Sequence, residues 1–333
     1  MANRSLGTFA LRTAARFALL MLAVSAVTFL LVAASPIDPV QANTGQAALL
    51  SMSAAKRAQL ATRWGVGVPA WQRYAAWLAD ALHGDLGQSL RFNEPVLAVV
   101  GERFANSFAL LLAAWLISGV LGLALGVIAG VCRYRLADRI IKGYCYVLSA
   151  TPAFWLAMVL LMVFAVYLGW FPMGFSSRIG TAAAEASLAE RFQHLVLPAL
   201  TLSVTGVANI ALHTREKVID VMASPYVRFA RTRGESTRSI VMRHGLRNLV
   251  LPALTLQCAS ISEIFGGSVL VEQVFSYPGL GQAAVTAGLG GDAPLLVGIA
   301  LASAALVFGG NLLANVLYGV IDPRMRGGVA HVE

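Results

Sequence analysis

The residues best suited to chemistry lie in one stretch, YVRFARTRGESTRSIVMRHGLRNLVLPALT, residues 226–255, where six arginines and His244 sit among Val227, Phe229, Ala230, Ile240, Val241, Met242 and Leu246. Guanidinium groups are planar donors for carboxylates and phosphates, and beside apolar side chains they suit a protein–protein contact. Nothing here suggests catalysis. The three lysines follow Ala55, Ile141 and Glu216, so no G-x-x-x-x-G-K-[ST] phosphate loop exists and no nucleotide is expected on this chain. His83, His194, His213, His244 and His331 are scattered, without an HExxH run or a nucleophile–base pair; His213 and His244 suit helix-end hydrogen bonding. Cys132, Cys145 and Cys258 form no CxxC pair and read as small buried hydrophobes, so neither a metal site nor a disulfide is implied. One carboxylate, Glu263, stands inside an apolar run, where an acid is costly and faces a cavity or a partner. It is a candidate for lining a polar pathway between helices, where it could meet a cation, or for pairing within a helix bundle.

The elements that position these residues are membrane spans. Of 333 residues 58% are hydrophobic and 12% charged, and mean hydropathy is +0.71. This composition points to an integral membrane protein surrounded by lipid. The net charge of +9 does not gather on one soluble face but at the ends of apolar runs, which argues against nucleic acid. A spanning helix needs about 20 predominantly apolar residues. Six stretches qualify, at residues 17–34, 104–131, 140–168, 195–212, 249–271 and 294–321, and define an all-α polytopic fold. Most of the 25 Lys and Arg fall in the tail 1–16, the loop at 133–142, the segment 215–248 and the tail 322–333, which places those regions and both termini in the cytoplasm. The first apolar run is read as a retained helix rather than a cleaved leader. Residues 35–103 then form an outer loop, in which Trp71, Tyr74, Ala75, Leu78 and Leu82 recur at helical spacing and suit a short amphipathic helix at the membrane interface. Residues 104–321 form the core. Gly119, Gly122, Gly126 and Gly130 make a small-xxx-small stripe whose plainest use is close helix packing. Asn209, Asn311 and Asn315 are expected to bond between helices.

Within 215–248 the punctuation is readable. Pro225 starts a second helix or kinks the first, Gly234 breaks the run, and Ser236 or Thr237 caps the next helix. The expectation is helix, glycine turn, helix, with an apolar face and arginine flanks. It is longer and more apolar than a plain positive loop needs to be.

This stretch resembles the EAA loop of ABC importer permeases of the dipeptide/oligopeptide/nickel family, whose pattern runs close to DYVRTARAKG, a variable turn, then RHALRNALLP. Here the residues are PYVRFARTRG and RHGLRNLVLP. GDLGQS, ERFANSF, SATPAFWL, GGSVLVEQVFSYPGLGQ and IDPRMR extend the resemblance collinearly from about residue 38 to 326. It implies a non-catalytic membrane subunit, paired as a heterodimer with a second homologous permease subunit and fed by an extracytoplasmic solute-binding protein. Two cytoplasmic ATP-binding subunits would carry ATP and Mg, leaving no cofactor on this chain. By the same resemblance Ala230, Arg231 and Gly234 belong to the docking turn, and Tyr226, Arg228, His244, Arg247, Asn248 and Pro252 brace it. Pro225, Phe229, Arg233 and Ala105 depart from the usual Asp, Thr, Lys and Pro. Peptides, nickel and other metal chelates remain alternative cargoes. An ion-driven secondary transporter, for which no internal repeat is visible, and a membrane scaffold are the rival classes.

Overall fold

The computed structural model describes residues 2–44, 51–63, 67–177, 186–245, 253–254, 256–258 and 260–321. Their regular structure is helical, apart from an isolated bridge between Gln88 and Pro95. A chain in hydrocarbon must satisfy its own backbone groups, and the helix does so within one segment. In chain order the helices are α1 (Ala2–Ala34), α2 (Pro39–Thr44), α3 (Ala54–Arg63), α4 (Ala70–Leu82), α5 (Val96–Val131), α6 (Leu136–Ala150), α7 (Ala153–Leu160, prolonged as a π-helix over Leu161–Tyr167), α8 (Leu188–Met222), α9 (Pro225–Thr232), α10 (Thr237–Ile240, prolonged as a π-turn over Val241–Gly245), α11 (Ile261–Val274), α12 (Leu280–Leu289) and α13 (Ala293–Ile321).

Among the described residues four helical segments are long and apolar enough to cross a membrane: Leu11–Ala34, Val96–Val131, Leu188–Met222 and Ala293–Ala314. The pair α6–α7 makes a fifth if taken as one span, but its halves meet at 107°. The expected unbroken run at 140–168 is therefore corrected to a broken one. Its physical cause is Pro152, which lacks an N–H and pushes the preceding residue out of the α region; Thr151 has φ −91 and ψ 124. The run expected at 249–271 begins outside the described residues, which include α11 and a helical stretch at 256–258.

The chain divides into two compact units. In the first, Met1–Ser107 with Pro278–Phe308, the expected amphipathic helix is α4; Tyr74 and Leu78 of its expected face are packed, but Trp71 and Leu82 at its ends are 67% and 80% exposed. With Trp77 and Ala81 the packed pair lies around Phe29 of α1 and Ala293 and Val297 of α13. The Trp77 indole N–H also donates to the Leu86 carbonyl at 3.1 Å. Asp292 is fully buried at the start of α13 and accepts from Ser89 Oγ (2.6 Å), Arg91 N (3.0 Å) and Leu295 N (3.2 Å), capping the helix and holding the loop before α5.

In the second unit, Phe108–Tyr277 with Gly309–Glu333, α8 is the central strut. Ser187 caps it by accepting from Glu190 N at 3.2 Å, and the helix continues past residue 212, where the apolar run ends, to Met222. Helix α5 lies against it in parallel register. A Cβ on Gly122, Gly126 or Gly130 would come within 2.7, 2.5 and 2.5 Å of the Cβ atoms of Ile210, Thr214 and Val218, and one on Gly206 within 2.8 Å of Ser118 Cβ. Three of the four glycines of the expected stripe form a packing seam with α8, as small residues between membrane helices allow, while Gly119 faces the Gln257 side chain.

Candidate functional site

The hairpin after α8 is built from local rules. Helix α8 stops at Met222, Ser224 turns the chain at φ −68 and ψ 152, and Pro225 opens α9 at a position where its missing N–H is no loss. Helix α9 ends in a Schellman turn: Gly234 at φ +80 donates to the Arg231 carbonyl at 3.0 Å, and Glu235 N donates to the Ala230 carbonyl at 3.2 Å. Among the described residues nothing lies within 4 Å of a Cβ on Gly234, so its requirement there is the backbone angle. Ser236 then caps α10 by accepting from Ser239 N at 3.3 Å. Val227, Ala230 and Ile240 are buried together against Val221 and Met222, giving the hairpin a small core of its own. Tyr226 and Phe229 are exposed, Phe229 at 65%, with Arg228, Arg231, Arg233 and Gly234 exposed around them. The hairpin thus presents two exposed aromatic side chains among exposed arginines, the residue types that anchor protein contacts.

At the foot of the hairpin lies an ion pair that charge counting along the sequence did not single out. Arg215 on α8 donates through Nε to Asp138 Oδ1 at 2.6 Å and through Nη2 to Oδ2 at 2.9 Å. Asp138 is fully buried in the first turn of α6 and Arg215 is 7% exposed. Oδ2 also accepts from the backbone N–H of Tyr134, in the turn that ends α5, at 2.9 Å. Lys142 stands 4.0 Å from the same carboxylate and Glu216 2.5 Å from Arg215 Nη1.

Against this geometry the comparisons are decisive. The model of binding-protein-dependent transport system inner membrane components matches residues 122–327, which contain the C-terminal end of α5, all of α6 to α13 and the hairpin. The chain belongs to that family. It is 33% identical over 308 residues to the oligopeptide transport system permease protein AppB of Bacillus subtilis, covering 92% of this chain and 95% of the relative. To the glutathione transport system permease protein GsiC of Escherichia coli it is 33% identical over 303 residues, covering 91% and 94%. This chain is a multi-pass, helical permease subunit of a bacterial ABC importer, and its family consists of transport components rather than enzymes.

Within this permease, the residues singled out from sequence occupy different places. Tyr226, Arg228, Arg231 and Gly234 are on the hairpin surface, and Ala230 is inside it. The backbone of His244 lies in the π-turn after α10, whereas Arg247, Asn248 and Pro252 lie outside the described residues. Glu263 is in the first turn of α11 and exposed, on one side of that helix with Gly266 and Leu270. Its neighbour Ser262 donates to Asn311 Oδ1 at 3.2 Å, so one of the three asparagines does bond between helices; Asn209 is exposed on α8. In FSYPGLGQ, between α11 and α12, burial and the Glu272 carboxylate push the Tyr277 hydroxyl up to about 12, which keeps it neutral. A cavity of about 210 Å³ lies elsewhere in the same unit, lined by Trp115, Gly119, Ile210, Ala253 and Gln257 among others. Gln257 binds the Trp115 carbonyl through its amide nitrogen and accepts the Trp115 indole N–H on its backbone carbonyl at 2.7 Å, while its side-chain oxygen has no partner among the described residues. A lone Gln inside an apolar run carries no sequence signal of this kind.

Proposed function

We propose that this permease forms half of a peptide pathway and takes its energy from a separate ATPase through the 225–245 hairpin. The observation that carries the reading is the hairpin itself. Its core of Val227, Ala230 and Ile240 lets it move as a solid piece, and the aromatic pair Tyr226 and Phe229 faces outward among arginines. Such a surface seats in an apolar groove with acidic rims, with the aromatic anchors supplying most of the energy. Six spans with both termini in the cytoplasm are the arrangement that puts this hairpin beside a cytoplasmic ATPase, as the distribution of Lys and Arg suggests.

In this reading the complex holds a second, homologous permease subunit, as a heterodimer. It also holds two ATP-binding subunits that carry ATP and Mg, and it receives solute from an extracytoplasmic binding protein. The names of the relatives, oligopeptide and glutathione transport, favour peptide-like cargo over nickel. The test is purification of the chain from its native membrane with its partners. An ATPase subunit and a second permease should accompany it, a binding protein should stimulate hydrolysis when loaded with peptide, and the stripped chain should hydrolyse no ATP. Hydrolysis by the stripped chain, or peptide uptake with no ATPase present, would reject the proposal.

A further inference from the structure

Asp138 gathers three elements on one carboxylate. It sits on α6, accepts the backbone N–H of Tyr134 from the turn ending α5, and is gripped through both oxygens by Arg215 of α8. The same three helices touch on one side of the pair, and α5 and α8 touch on the other. Cys145, Ala208 and Ala211 pack with Leu125, Ile141 and Leu148 on one side, and Gly130 lies against Val218 and the Arg215 carbonyl on the other. From Arg215 the helix α8 runs unbroken to Met222, about two turns, and the hairpin begins at Pro225.

A buried ion pair is a poor source of stability, because the desolvation of two charges offsets most of their attraction, and an apolar pair of similar volume serves as well. What it supplies is direction. Apolar surfaces resist separation but slide past one another, whereas a carboxylate held by a planar two-pronged guanidinium fixes both distance and angle. The fork is placed where the hairpin's stem meets α6 and the end of α5.

We propose that Asp138 and Arg215 are positioning residues that transmit displacement of the hairpin to α6 and to the end of α5, so that ATP hydrolysis on the docked partner moves the membrane helices. This rests on the docking role given to the hairpin above. When the hairpin is pushed, α8 moves as its stem. The fork carries α6 with it, and the Tyr134 N–H bond carries the turn after α5. Without the fork the stem slides, and hydrolysis continues without transport.

The test uses the whole importer, purified and reconstituted with peptide-loaded binding protein, and reads peptide taken up per ATP hydrolysed. In Arg215→Lys the charge stays but the second prong is lost. The double variant Asp138→Leu/Arg215→Met replaces the pair with apolar groups and leaves no charge buried alone. Both should assemble with the ATPase in normal amount, while uptake per ATP falls about threefold in the first and about tenfold in the second. Normal uptake per ATP in the double variant would overturn the proposal. So would loss of assembly in both variants, which would give the pair to folding alone. Failure of the docking role would appear separately, as a wild-type importer from which the ATPase subunit is absent.

Discussion

The seam between α5 and α8 and the hairpin at 225–245 both depend on glycine, for opposite reasons. Gly126 has ordinary helical backbone angles but no room, since a Cβ would lie 2.5 Å from Thr214 Cβ and 2.6 Å from the Ala211 carbonyl. Gly234 has open space around it but a φ of +80 that a side chain disfavours. The first glycine serves packing between distant segments, and the second serves a local turn. A residue type by itself therefore says little about what its replacement will do; the surroundings decide whether size or backbone angle is the sensitive quantity.

Substitutions can break this contrast, and the largest effect should come from the seam. Gly126→Leu places a branched side chain against backbone, and a loss of more than about 3 kcal/mol should remove folded permease from the membrane fraction; Gly126→Ala should cost about 1–3 kcal/mol. Both are measured by the amount of monodisperse protein recovered in detergent and its midpoint of thermal unfolding. At Gly234 the order by size should vanish. Gly234→Val and Gly234→Ala should each cost about 1–3 kcal/mol through the backbone, with Gly234→Asn markedly milder because Asn tolerates the left-handed region. The membrane helices should stay folded and the ATPase partner should fall away, as seen in copurification. A graded loss with side-chain volume at 234 would mean the turn is crowded in the complex.

Two smaller effects sharpen the comparison. Phe229→Ala removes an exposed ring and no part of the hairpin's core, so folding should be unchanged while affinity for the ATPase drops about tenfold, read by titration of one purified component with the other. Glu263→Gln should alter stability by less than about 0.5 kcal/mol, because the side chain is exposed on the chain. If Glu263 faces the pathway, the uptake of cationic peptides falls while that of neutral ones holds; equal uptake of both at the wild-type level removes it from the pathway.

Much of the fold was legible because its signals are local. The apolar runs at 17–34, 104–131, 195–212 and 294–321 fall within the four long helices, and the punctuation by Pro225, Gly234 and Ser236 matches the turn and caps observed. What escaped depends on contacts between distant residues or on faces too short to show a period. Two turns of α9 do not reveal that Ala230 points inward and Phe229 outward; only Ile240 and Val221 settle it. On α4 the aromatic pattern was visible, but Trp77 rather than Trp71 meets Phe29. The Thr151–Pro152 break was hidden by the apolar residues on both sides. Asp138 and Arg215 are 77 positions apart, and each passes for an ordinary loop charge until the two are seen together.

The seam between α5 and α8 also sets what lengths the chain can tolerate. Its contacts pair 118 with 206, 122 with 210, 126 with 214 and 130 with 218, a constant offset along parallel helices. Each residue turns a helix by about 100°, so inserting or deleting one residue between 118 and 130 would swing the remaining glycines off the seam and bring side chains onto it. A four-residue insertion turns the helix by about 400° and returns the stripe to within about 40° of its place. Point changes at exposed positions of α5 away from the seam and the cavity, such as Leu121 or Ile128, leave every one of these pairings alone. Related permeases should therefore vary freely in sequence at such positions while keeping the number of residues between Ser118 and Gly130 unchanged.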